Sequence, residues 1–291
     1  MQFLRQRIED QIHAVTGLDS SPVDFSQPVG DPGLFGPDSA VWIVHADFTS
    51  MLIGGVTALY LQMLEPRVLA GVWDHSNFRQ DMHGRLARAA QFISAVSYGG
   101  REQALQFIAR VRTLHERVRG QLQDGTPYDA NDPELLAWVH HTQAYSFLRA
   151  HCCYRNPGLA VELQDRYISE YRIVAQALGA DGALASDRSA LEQRIEYRRT
   201  RALVDERTLE VARILRQSAR QFSGPKAWAG HLFMDSALDM LPPWAQDCFE
   251  HGPSALERRA RRTAVMAMAR SLRWATRNGS VHRARRRMEL S

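Results

Sequence analysis

Residues 102–119, EQALQFIARVRTLHERVR, decide the fold class. Ala104, Phe107, Ile108, Val111 and Val118 recur here at three- and four-residue spacings. That period puts them on one face of an amphipathic helix, predicted to run from Glu102 and to stop at Gly120. His115 lies four residues after Val111 and three before Val118, so the same face carries an imidazole toward the core. An unsatisfied polar group in an apolar interior is costly. A buried histidine is therefore either hydrogen-bonded among its packing neighbours or bound to a metal. On this helix alone, His115 leaves both readings open.

Helical periodicity continues on both sides of this stretch. It predicts helices over residues 2–16, 48–64, 85–96, 133–153, 158–179, 187–198, 204–220, 225–240, 242–250 and 253–277. Pro66 restarts the chain after the second of these, because proline removes a helical hydrogen bond. Gly99-Gly100 breaks the chain before Glu102. Asp132-Pro133 opens the next helix with an N-cap and a first-turn proline. Residues 19–39, rich in Pro, Gly, Ser and Asp, read as a loop, and Asp124-Gly125 as a turn. Val41–Val44 reads as a lead-in to the next helix. Strand signals are nearly absent and no repeat appears. The expected architecture is all-α: a single large multi-helical domain over 41–277, preceded by an N-terminal helix and loop (1–40). A basic tail over 278–291, holding Arg283, Arg285, Arg286 and Arg287, is expected to fray.

The 291 residues are 45% hydrophobic with a net charge of +4, ordinary for a globular chain. Lys226 is the one lysine among 36 basic residues. With abundant alanine, that skew reads as GC-rich coding rather than as a nucleic-acid footprint, and no nucleic-acid partner is expected. Three cysteines, two of them adjacent, imply no disulfide framework and fit a reducing cytoplasm. The opening MQFLRQRIEDQIHAV has no long apolar region and reads as no signal peptide. The longest apolar run, residues 51–64, is shorter than the ~20 residues a membrane span needs, so no integral segment is expected.

Several residues could carry chemistry. His140 lies four residues after Leu136 and seven before Phe147, on an apolar face. Its neighbour His141 points about 100° away, so one of the two is expected inside and the other nearer the surface. Arg85 and Arg88, three apart, share a helix face. They read either as a solvated basic edge or as a pair held toward a carboxylate or propionate. His75, Arg79 and Asp81 cluster before that helix, where capping is the plain reading. Cys152 and Cys153 read as packing residues. There is no HExxH, no Gly-rich phosphate loop, no Glu-x-x-His pair and no G-x-S-x-G.

Two longer strings, LYLQMLEPRVLAGVWDHSNFRQDMHGRLARAA (59–90) and HERVRGQLQDGTPYDANDPELLAWVHHT (115–142), together resemble a known family. It is the family of haem b oxygenases that includes the bacterial latex-clearing protein and the MpaB oxygenase. LFGPDSAVWIVHAD (34–47), DRYISEYRIVAQALG (165–179) and LDMLPPWAQ (238–246) extend the similarity. The resemblance implies an all-α fold with a non-covalent haem b in a pocket between core helices. It places His115 at the proximal iron ligand, the metal position. It sets Arg85 and Arg88 beside the haem as binding and catalytic residues, with His140 and His75 nearby. Where the family pattern reads His-Pro, this chain has Glu65-Pro66, and Glu65 becomes a candidate base on the open face. Ala89 stands where the family often has threonine, and His83 where it often has proline.

The function expected from the resemblance is O2-dependent oxidation of a small apolar substrate, isoprenoid or unsaturated, in the cytoplasm. The alternative is a non-enzymatic helical protein that binds haem or another hydrophobic ligand. A further reading attaches the arginine-rich tail to anionic lipid.

Overall fold

The computed structural model describes residues 2–180, 184–218 and 225–289. The end of the helix expected over 204–220 and the end of the tail, 290–291, lie outside the described residues. The described chain is all-α, as expected, with fourteen α-helices. In chain order they are α1 (Gln2–Thr16), α2 (Ala40–His45), α3 (Phe48–Gln62), α4 (Pro66–His75), α5 (Met82–Tyr98), α6 (Arg101–His115) and α7 (Pro133–Tyr154). There follow α8 (Val161–Leu178), α9 (Arg188–Tyr197), α10 (Glu206–Ser218), α11 (Pro225–Asp239), α12 (Pro243–Cys248), α13 (Ala255–Ala275) and α14 (Ser280–Glu289).

Local chemistry sets most of the boundaries. Ser39 caps α2, Asp47 caps α3, Asp81 caps α5 and Asp132 caps α7, each side chain accepting a backbone N–H of the first turn. Pro66 and Pro133 occupy first-turn positions, where the missing N–H costs nothing. Gly179 ends α8 at φ 105°, a left-handed conformation that suits glycine.

Helix α6 stops at His115, short of the predicted end at Gly120. The reason is a small antiparallel hairpin of β1 (Arg119–Gln121) and β2 (Pro127–Asp129), which turns at Gly125. Ladder pairing claims backbone groups that a longer helix would have used. Val118 therefore leaves the helical stripe, and His115 sits in the last turn.

The centre of the molecule is α3 packed lengthwise on α7. Gly54 makes this possible. A Cβ there would lie 2.9 Å from Ser146 O and 3.0 Å from Phe147 Cα, so only glycine lets the two backbones approach. Helices α11 and α13 cover one side of this pair, and α2 and α8 another. Helix α5 pairs separately with α6, and neither packs lengthwise on α3 or α7.

The C-terminal segment expected to fray is instead the ordered helix α14, seated on α5. Arg287 is fully buried, its Nη1 donating to Phe25 O at 3.2 Å and to Tyr98 O at 2.9 Å. Val281 and Ala284 join the apolar cluster of Leu18, Phe25, Trp42 and Tyr98. Apolar residues between the arginines let one face dock, which a count of charges hides. Among the described residues no helix is long and apolar enough to cross a membrane.

Candidate active site

His115 ends α6 half-buried, with its Nδ1 enclosed and without a hydrogen-bond partner among the described residues. Burial holds its pKa below the ordinary histidine value, with the nearby Asp129 carboxylate pulling weakly the other way. Burial therefore favours the neutral imidazole, the form that can bind a metal. The remaining half-buried residues of that helix face, Gln103, Phe107 and Val111, follow at four-residue steps.

Residues on other helices are also incompletely covered. On α3, Leu52, Gly55, Leu59 and Gln62 form a half-buried stripe, although this is a central helix. A Cβ on Gly55 would meet only Phe147 Cε1, at 3.8 Å. On α7 the half-buried positions include Val139 and Gln143. Leu52, Val111 and Val139 belong to none of the packed apolar clusters. Unmet apolar surface in the interior of a fold marks a place where something else can pack.

One end of this region is a pocket bounded by α3, α4, α5 and α10. Leu59, Met63, Val72, Met82, Val211 and Leu215 supply apolar walls, and Gln62 and Arg85 the polar groups. The free space between the walls is about 20 Å³. Arg85 is half-buried, and its partial desolvation, aided by the charge of Arg88, lowers its pKa. No hydrogen bond or ion pair reaches its guanidinium among the described residues.

The other expected site residues go elsewhere. Arg88 does not share the environment of Arg85. It is exposed and contacts Asp81 Oδ2 and Asn77 Oδ1, each at 3.3 Å. Its guanidinium reaches back to the loop that caps α5. Glu65 is buried in an ion cluster, with one oxygen 3.0 Å from Arg67 Nε and the other held by Arg198. Arg67 and Arg198 also grip Glu134. With guanidinium groups on both oxygens, Glu65 is a clamp between α4, α7 and the turn after α9. His75, at the exposed end of α4, lies 3.3 Å from the Tyr128 hydroxyl, which donates to Asp74 at 2.6 Å.

His140 is 6% exposed, and so, against expectation, is His141 buried, at 4%. Helix α7 is covered on both sides, and the chain before α9 closes over His141, whose Nε2 accepts Ala185 N–H at 3.1 Å. The His140 ring packs on Tyr171 at 4.8 Å. Its pKa is pushed down to about 3, chiefly by burial and then by His141. Beside it, His45 bridges Ser97 Oγ (2.7 Å) and Tyr167 OH (2.9 Å). Cys152 and Cys153 are half-buried, and burial raises both thiols, which fits packing.

Sequence reasoning missed Gln62 and the α10 walls Val211 and Leu215. The amphipathic pattern of α10 was visible, but nothing local says which helices it covers. Asp129 was equally hidden, because only the hairpin returns it to His115.

No curated protein and no solved structure significantly matches the chain. Residues 42–277, most of its length, match the family described as ER-bound oxygenase mpaB/B'/Rubber oxygenase, catalytic domain. The chain belongs to that oxygenase family.

Proposed function

We propose that the protein is a haem b-dependent oxygenase that uses O2 to oxidise a small apolar, unsaturated substrate. The observation that carries this reading is the neutral, half-buried His115 with an enclosed, unpartnered ring nitrogen. Haem requires little of a protein by way of ligands: one imidazole on a rigid element is enough. Among the described residues no three His, Cys, Asp or Glu side chains converge as a metal site. The donor set therefore suits a porphyrin-held iron better than a bare ion. When bound, the group would supply the iron at which O2 is activated.

The chain's own residues would do the rest. His115 would hold the iron, and Asp129 would bias the orientation of its ring. Leu52, Val111 and Val139 would complete their burial against the flat macrocycle, and Gly55 leaves it clearance. Arg85, half-buried at the pocket, is a cation available to a carboxylate. The apolar walls would exclude water from the reacting alkene. The buried His140 and His45 would stiffen the wall formed by α7 and α8.

A visible spectrum of the protein as isolated, and again after haem reconstitution, tests this. A Soret band is expected, and it should be lost in His115→Ala while the unfolding midpoint stays within a few degrees. Absence of the band after reconstitution overturns the reading. A band without O2 consumption toward any alkene would leave a haem-binding protein with no oxygenase chemistry.

A further inference from the structure

We propose that Tyr167 is a redox-active residue: it gives one electron to a one-electron oxidant formed by O2 activation in the oxygenase site and passes its phenolic proton to His45 Nε2. This rests on the oxygenase reading only for the source of the oxidant. Losing an electron turns a phenol into a very strong acid. A tyrosine buried away from water is therefore readily oxidised only with a base in hydrogen-bond reach. The Tyr60 hydroxyl is enclosed without a partner among the described residues. Tyr98 donates to the Trp42 carbonyl and Tyr171 to the Gln143 amide oxygen, each at 3.2 Å, and neither acceptor is a useful base. Tyr167, fully buried, has its hydroxyl 2.9 Å from His45 Nε2. His45 Nδ1 lies 2.7 Å from Ser97 Oγ. Phenol is a stronger acid than neutral imidazole, so Tyr167 donates to Nε2 and the proton on Nδ1 is given to Ser97. His45 is buried too, and burial pushes its pKa down to about 3, so the ring stays uncharged and its Nε2 lone pair ready for the proton.

The surroundings supply a path for the electron. Tyr171, one turn further along α8, stacks on Tyr167 with ring centres 5.7 Å apart and planes 15° from parallel. The His140 ring lies 4.8 Å from Tyr171 on α7. Tyr171 also bonds Gln143, which stands with Val139 among the half-buried positions of α7. One stacked pair thus joins Tyr167 to the wall of the candidate site, and rings in contact exchange electrons far faster than rings apart. His45 sits edge-on to both tyrosines, 5.5 Å from the Tyr167 ring and 5.0 Å from the Tyr171 ring. A packing role needs none of this, since two phenylalanines would fill the same volume with no hydroxyl to satisfy. The step balances. Tyr167, neutral His45 and the oxidant become the Tyr167 phenoxyl radical, the His45 imidazolium and the oxidant reduced by one electron. An O–H bond breaks at Tyr167 and an N–H bond forms at His45. A one-electron reductant such as ascorbate reverses both transfers. The pair would discharge the site when O2 has been activated with no substrate in place.

Flash oxidation of the purified protein by a photogenerated ruthenium(III) bipyridine complex, read by absorbance and electron paramagnetic resonance, tests this. A long-lived tyrosyl signal is expected, with the lowered largest g value that a hydrogen bond from an imidazolium imposes. The signal should be lost in Tyr167→Phe. It should be kept in Tyr128→Phe, because Tyr128 donates instead to Asp74 at the exposed end of α4. Its formation should slow in D2O, since a proton moves with the electron. Absence of any tyrosyl signal in wild type overturns the proposal. So does a signal that persists unchanged in Tyr167→Phe, or one that Tyr128→Phe removes. A g value free of hydrogen bonding, or a rate unchanged in D2O, takes His45 out of the step and overturns it without any variant, so the test survives a Tyr167→Phe chain that does not fold. None of these measurements needs haem. A missing Soret band sinks the oxygenase reading and leaves the radical assignment standing, whereas a Soret band without the radical does the reverse.

Discussion

The buried histidines of α2 and α7 and the basic groups of α5 and α6 make an instructive pair. On the α3–α7 side, His45 has Ser97 and Tyr167, His141 has the Ala185 amide, and His151 has the Val44 carbonyl. On the α5–α6 side, His115 keeps a ring nitrogen without a partner and Arg85 a guanidinium without an anion. Both sides place polar groups in apolar surroundings, and both leave some unmet: on α7, His151 Nε2, Trp138 Nε1 and Ser146 Oγ are also enclosed without a partner among the described residues. A closed core tolerates polar residues by pairing them. Groups left unpaired, beside helix faces that are only half covered, are what a ligand would complete.

The closed side should be intolerant of change and the open side permissive. The largest effect is expected at Glu65. Glu65→Ala leaves Arg198 buried without its main counter-charge and should destabilise the fold by about 3–5 kcal/mol, measured by denaturant unfolding. A loss below ~1 kcal/mol would break the contrast, since Glu65 would then be free for another role. Gly54→Val comes next. Its side chain would strike the backbone of α7, and about 1–3 kcal/mol should be lost by overpacking.

Acid should act on the closed side. Burial pushes His45 and His140 down to about 3 and His141 to about 4, from an ordinary 6.5. Below pH 6.5 the unfolded chain takes up protons that the folded chain refuses, so this stability is present above 6.5 and lost as the pH falls toward 4. Each histidine contributes a slope of up to about 1.4 kcal/mol per pH unit. Unfolding free energies at pH 7, 6 and 5 measure the slope, and His141→Asn should flatten it by about one proton. A flat profile would mean that these rings are not sealed. The smallest effect belongs to the open side. Gly55→Ala should stabilise the haem-free protein by about 0.5–1 kcal/mol, because alanine suits a helix and its Cβ meets little there. Weakened haem retention in the same variant would locate the macrocycle against α3.

Much of this was legible before any coordinates. Pro66 and the Asp132-Pro133 pair mark helix starts through local chemistry, and a local signal suffices for a local feature. The resemblance singled out His115 and Arg85 by their positions in the matched strings. The same strings suggested Arg88 and Glu65, yet Arg88 turns to solvent and Glu65 enters an ion cluster 133 residues away in sequence from its partner Arg198. Charge type was readable there, and charge pairing was not. The tail failed for a related reason. Its arginines suggested solvent, while the carbonyls that accept Arg287 come from residues 25 and 98.

The amino-acid order alone determined the helices, their polarity and the residue types able to serve an iron or an anion, because periodicity and capping act over a few residues. Tertiary structure decided which of those residues remain unsatisfied. That property depends on neighbours brought together from far along the chain: a glycine that lets α3 and α7 touch, a hairpin that ends α6 at His115, and an α10 that walls in Arg85 without giving it a counter-ion.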